Sequence, residues 1–142
     1  MLENDIFLLV ENSADDVALA QIYWDKAKIA NPIYAVRTAE GAFDYLSGVG
    51  QYANRKSFPL PTVVLLDLKL PGRDGFHVLE WARAHASLRA ILFIVLTGLE
   101  KISDVRRSYE LGAVSYLQKP FDSERVTELV NVLRSVRKKR GS

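Results

Sequence analysis

The sequence predicts an α/β fold: a parallel five-stranded sheet with helices on both faces. Three observations carry that prediction. Five short β-rich segments alternate with stretches of helical period. Three of the five, "FLLV", "VVLL" and "ILFIVL", are apolar without a break, so they must be covered on both sides, as central strands of a parallel sheet are. Gly, Pro, Asp and Ser stand at the joins, where helix caps and turns need them.

Each element follows in order. "DIFLLV" is the first strand. Asp15 to about Lys28 is the first helix, with Val17, Ala18, Ala20, Gln21 and Trp24 at mixed helical spacing. Pro32 opens the second strand, "PIYAVR", and "AEGAFDYL" resumes a helical pattern. "GVGQYANRKSFPLP" has no clear period and reads as a surface loop, slightly long for such a join. "TVVLLD" is the third strand. Asp74 is placed to cap a helix carrying Phe76, Leu79 and Ala82. "ILFIVLT" is the fourth strand, Ser103 to Leu111 a helix stopped by Gly112, and "AVSYLQ" the fifth strand. Pro120 breaks the chain. Asp122 or Ser123 then caps a last helix with Val126, Leu129, Val130, Leu133 and Val136 on its apolar positions.

At 142 residues, 49% hydrophobic and 25% charged, the chain is expected to form one domain over residues 1–142, its core about 5–138, with no sign of disorder. No run is long enough to span a membrane, and "MLENDIF" lacks the features of a signal peptide, so a cytoplasmic location is expected. The absence of cysteine excludes disulfides and thiolate metal sites. Net charge is +2, yet Arg134, Arg137, Lys138, Lys139 and Arg140 cluster at one end. Taking those five from 19 basic residues leaves 14 against 17 acidic, so the rest is net negative. No basic face with interleaved aromatics accompanies the cluster, and a solvated helix end explains it better than nucleic-acid binding.

In open parallel sheets ligands bind beyond the carboxyl ends of the strands, near the point where strand order reverses. The residues there are Glu11 and Asn12, Asp67, Thr97 and Gly98, and Lys119 with Pro120. Arg37 and Thr38, at the end of the second strand, are peripheral. Taken singly, Asp67 reads as a turn cap, Thr97 as a local turn bond and Lys119 as an exposed strand end. Together they fit phosphoryl transfer. In that reading Asp67 would be the nucleophile, an oxygen-loving divalent ion would bridge it to the incoming phosphoryl group, and Thr97 and Lys119 would bind phosphoryl oxygens. His77 and His85 have no metal-ligand spacing and read as surface or packing residues. No Gly-rich nucleotide motif follows the first strand, and Gly48-Val49-Gly50 lacks that context.

"LLVEN", "VVLLDLKLPGRDGFHVL", "ILFIVLTG" and "GAVSYLQKPF" together resemble the bacterial response-regulator receiver domain, over Ile6 to about Val136. The resemblance implies a flavodoxin-like (βα)5 three-layer sandwich with strand order 2-1-3-4-5. It implies phosphorylation of Asp67 by a sensor histidine kinase or histidine phosphotransfer protein, assisted by Thr97 and Lys119. It also implies Mg2+ held by Glu11, Asn12, Asp67 and the Lys69 carbonyl, and a switch through Thr97 and Tyr116. The long loop and "RSYELGA" most resemble stand-alone receivers that partner phytochromes or other sensor kinases. A homodimer through the surface near Tyr109, Leu111 and the last helix is expected, and sequence-specific DNA binding is not. The departure is Asn12, where receivers carry a second acid. Asp15 and Asp16 fall in the first helical turn and serve its N-terminus. The rival reading is a pseudo-receiver, an interaction module that works without phosphorylation.

Overall fold

The computed structural model describes residues 2–98 and 101–141; Ser142, half of the terminal Gly-Ser, lies outside them. Strands and helices alternate as β1 Phe7–Val10, α1 Ala14–Lys26, β2 Ile33–Val36, α2 Ala39–Ser47, β3 Val63–Asp67, α3 Gly75–Arg83, β4 Leu92–Thr97, α4 Ile102–Glu110, β5 Ser115–Gln118 and α5 Ser123–Gly141. The sheet runs β2-β1-β3-β4-β5, all parallel, with Val10 in register with both Val36 and Leu66, and Asp67 with Leu96.

The unbroken apolar strands are indeed central. Leu8, Val10, Val64, Leu66 and Val95 pack under α2 and α3 on one face. Phe7, Leu9, Val63, Leu65, Ile94 and Leu96 pack under α1 and α5 on the other. Each such side chain contributes about 1.5–3 kcal/mol by leaving water. Val126, Leu129 and Leu133 of α5 are consumed by this cover. The last helix therefore has little apolar surplus to offer a second copy.

The caps follow the sequence. Ser13 accepts from the Asp16 N–H, Thr38 from Gly41, and Asp122 from Arg125. Asp74 and His77 form a reciprocal capping box at α3, so His77 has a structural role. His85 likewise bonds the Trp81 carbonyl through Nδ1 at 2.7 Å.

The stretch 48–60 is more than the surface loop its composition predicts. Tyr52 and Phe58 pack against the core, their rings 4.9 and 6.0 Å from that of buried Tyr45. Arg55 reaches back to the carbonyls of Tyr45 (2.8 Å) and Leu46 (3.0 Å), satisfying the end of α2. Gly48 ends that helix at φ 67°, with the guanidinium so close that a Cβ would lie 2.8 Å from it.

At the amino edge of the sheet, Arg137 pairs bidentately with buried Asp5, both contacts at 2.6 Å, and the Thr62 hydroxyl donates to the same carboxylate at 2.7 Å. This clasp ties the last turns of α5 to the entry of β1. Burial alone would raise the Asp5 pKa, but the hydrogen bonds from Arg137 and Thr62 outweigh it and hold the carboxyl below its ordinary 3.8. The depressed value means the pair stabilises the fold above that ordinary value and loses its effect as pH falls through the folded one. Asp5→Asn is expected to cost about 1–3 kcal/mol in urea unfolding at neutral pH. The difference from wild type should close in acid.

Candidate functional site

Three of the five strands deliver a charged group to one point beyond their carboxyl ends. Glu11 follows β1, Asp67 closes β3, and Lys119 follows β5. The Lys119 Nζ lies 2.5 Å from Glu11 Oε1 and 2.9 Å from Asp67 Oδ2. Both carboxylates are buried, at 3% and 5% exposure. Each places its other oxygen on a backbone donor: Glu11 Oε2 accepts from the Ser13 N–H and Asp67 Oδ1 from the Lys69 N–H, both at 3.0 Å. All four oxygens therefore have a partner, which is what permits two carboxylates to be buried so close together.

Burial disfavours the charged Lys119, but hydrogen bonds from its ammonium to Glu11 and Asp67 prevail and its pKa is raised. The chain positions it from both sides. The Lys119 N–H donates to the Thr97 carbonyl at 2.9 Å, pinning the end of β5 to that of β4, and the Lys119–Pro120 peptide is cis. A cavity of about 250 Å³ walled by Leu9, Leu19, Leu96 and Phe121 opens beside it, with Glu11, Asp16 and Lys119 at its polar end.

Two residues given other places from the sequence reach this neighbourhood. Asp16 does serve the first turn of α1, yet its carboxylate also comes within 3.7 Å of the Lys119 Nζ. The ammonium thus faces three carboxylates, so the loss of an acid at Asn12 does not leave the pocket neutral. Arg37 is bonded to Asn12 directly: its Nε donates to the Asn12 carbonyl at 2.5 Å, and the Asn12 amide donates to the Arg37 carbonyl at 3.3 Å. Neither contact has a local sequence signal, since both bridge elements 25 residues or more apart.

Thr97 stands one residue beyond Leu96, the register partner of Asp67, and so on the same edge. Tyr116 lies half-buried on β5 in register with Val95, its ring 6.4 Å from that of Tyr109 on α4. Gly75 is a requirement that composition alone does not announce. A Cβ there would sit 2.6 Å from the Asp67 carbonyl, so only glycine lets α3 start against the end of β3.

Among the described residues no three acidic or imidazole groups converge as a ready metal cage. The oxygen donors the structure brings together are the carboxylates of Glu11 and Asp67, which meet at Lys119. An all-oxygen set with two buried negative charges fits a hard divalent ion such as magnesium.

The family model for the response regulator receiver domain matches residues 11–131. The chain belongs to the response-regulator receiver family. Response regulator Rcp1 of Synechocystis sp. is 33% identical over 92% of this receiver and 86% of its own length. The Mn(2+)-bound form of Rcp1 superposes with a TM-score of 0.75 at 32% identity, covering 92% of each chain. The bacteriophytochrome response regulator AtBRR superposes at 0.80 with 37% identity, over 92% of this receiver and 93% of that chain. The phosphorylated cyanobacterial phytochrome response regulator RcpA superposes at 0.76 with 29% identity, over 89% and 88%. The receiver accordingly works in two-component signal transduction.

The pairing at Lys119 makes a stability prediction. Because its pKa is raised, the protonated Lys119 contributes stability that is fully present at neutral pH and up to the ordinary lysine value near 10.5, and that fades as pH climbs through the folded value. Lys119→Gln leaves Glu11 and Asp67 buried without their cation and is expected to cost about 2–4 kcal/mol at neutral pH. The difference should close only at alkaline pH, as the wild-type ammonium itself loses its proton. Thermal melts of mutant and wild type from neutral to alkaline pH read both effects.

Proposed function

We propose that this receiver accepts a phosphoryl group on Asp67 from a sensor histidine kinase or histidine phosphotransfer protein and signals through an altered protein surface. The observation that carries the reading is a buried nucleophilic carboxylate whose two oxygens are held by the Lys119 ammonium and the Lys69 N–H. In the transfer an Asp67 oxygen forms a bond to phosphorus while the donor's phosphorus–nitrogen or phosphorus–oxygen bond breaks and the donor leaves with that electron pair. Lys119, already at the carboxylate, binds a phosphoryl oxygen as charge arrives, and Thr97 offers a hydroxyl from the next strand. Glu11, Asn12, Asp67 and the Lys69 carbonyl would hold magnesium, which neutralises phosphoryl oxygens when bound.

The arriving group adds about −1.5 to −2 charges and new acceptor oxygens. Thr97 and Tyr116 carry that change toward α4, where Ile102 and Tyr109 are the exposed apolar residues, 83% and 45%. Those two residues are what supports self-association through α4, now that α5 is accounted for by the core. The bacteriophytochrome and phytochrome regulators among its structural neighbours support a photoreceptor-type kinase as the class of partner. No element of the described fold supports sequence-specific DNA recognition. The pseudo-receiver reading retains Asn12 as its one support, against an intact Asp67, Thr97 and Lys119.

Acetyl phosphate with millimolar magnesium is expected to label the wild-type chain, and Asp67→Asn to abolish labelling by mass. Persistent labelling of that mutant at the same site removes the acceptor assignment. Asn12→Asp is expected to tighten magnesium by about 1–3 kcal/mol, roughly 5- to 150-fold, in calorimetry. A wild type that neither binds magnesium at about 10 mM nor labels, beside an Asn12→Asp variant that does both, establishes the pseudo-receiver instead.

A further inference from the structure

Arg37 closes β2 on the same edge of the sheet as the carboxylates. Its register through Val36, Val10 and Leu66 sets its backbone two strand spacings, about 10 Å, from that of Asp67. Its guanidinium is not a freely swinging surface charge. The Nε bond to the Asn12 carbonyl and the return bond from the Asn12 amide to the Arg37 carbonyl make a closed pair, in which each side chain holds the other's main chain. An aspartate at position 12 has no proton with which to make the second bond. The guanidinium is thus held by the main chain of position 12, next to Glu11, while the amide braces the Arg37 carbonyl in return. Arg37 is exposed, and among the described residues no carboxylate pairs with its terminal nitrogens. They remain free to face an incoming anion.

We propose that Arg37 is a charge-selecting residue of this site, favouring approach of a dianionic phosphoryl donor and opposing entry of a divalent cation. Both effects come from one charge acting through space, so they must have opposite signs. A unit charge on a residue whose backbone is about 10 Å from that of Asp67 changes the local concentration of a charged ligand on the order of 2- to 5-fold per ligand charge at low ionic strength. High salt, with a Debye length of about 3 Å near 1 M, must abolish the effect. A residue that only braced the β1–β2 edge would weaken both functions together and would ignore salt.

The inference rests on the reading of Asp67 as acceptor, and the test keeps the two apart. Acetyl phosphate labelling at subsaturating donor and magnesium titration by calorimetry are run on wild type, Arg37→Gln, Arg37→Lys and Arg89→Gln. The last removes the same charge from the opposite edge of the sheet, where Arg89 is also exposed. Arg37→Gln is expected to label about 4- to 25-fold more slowly and to bind magnesium about 4- to 25-fold more tightly at low salt, both differences vanishing near 1 M. Arg37→Lys, which keeps the charge, should stay close to wild type in both. Shifts of the same sign, shifts that survive salt, unchanged values, or an Arg89→Gln variant that matches Arg37→Gln would overturn the proposal. If the unmutated chain takes no label, the acceptor reading fails, and the magnesium arm alone still decides whether Arg37 opposes the cation.

Discussion

The ammonium of Lys119, 2.5 Å from Glu11 and 2.9 Å from Asp67, joins strand ends that the sheet alone would leave in mutual repulsion. Two carboxylates at 3% and 5% exposure have given up nearly all their water. An uncompensated pair of that kind is worth several kcal/mol of instability. The backbone donors at Ser13 and Lys69 satisfy one oxygen of each but carry no full charge. The site therefore needs a cation at this point, and the position of Lys119, the close approach allowed by Gly75 and the termination of β5 against Thr97 all serve that need. A group that exchanges contacts with Lys119 changes the forces on three strand ends together. That is a route from local chemistry to the surface of α4 and β5.

The sheet has a second buried ion pair at its other edge, and the contrast separates structure from function. Asp5 and Arg137 match one charge with one charge, in bidentate geometry, with Thr62 completing the carboxylate. Nothing further is required there. Around Lys119 three carboxylates surround one ammonium once Asp16 is included. Those four groups leave negative charge to spare, which the proposed divalent ion would use. Electrostatic closure at the amino edge and its absence at the carboxyl edge mark which is a clasp and which is a binding site.

Strand and helix positions were legible because they rest on local rules: unbroken apolar runs for central strands, short polar side chains for caps, and glycine for stops. The meeting of Glu11, Asp67 and Lys119 was legible too, since one fold rule sends functional groups to strand ends, and Thr97 ends β4 on the same edge. What escaped was contact between segments without a shared local pattern. Asp5 and Arg137 are 132 positions apart, and neither residue type predicts the other. Arg55 is one basic residue in a polar loop, and only the path of residues 48–60 turns it onto the end of α2. Asp16 has an adequate local role as a first-turn acid, which concealed its second one beside Lys119. Arg37 reads as peripheral because its strand is an edge, although that edge adjoins β1 and brings Arg37 onto Asn12.

Asn12 shows why a departure from a family pattern is better judged by its contacts than by its charge. A site that had drifted out of use would be expected to leave traces, such as a buried acceptor without a donor. Among the described residues no buried side-chain nitrogen or oxygen lacks a hydrogen-bond partner. The amide at position 12 is itself engaged with the main chain of Arg37, a bond the family's usual carboxylate cannot donate. The substitution is thus absorbed into the join between β1 and β2, while Asp16 adds a carboxylate beside Lys119 and Arg37 holds the main chain one residue past Glu11. Charge has been redistributed around an intact Asp67–Lys119 pair. That arrangement suits a receiver whose balance between metal and phosphoryl donor is shifted more than one whose chemistry has been lost.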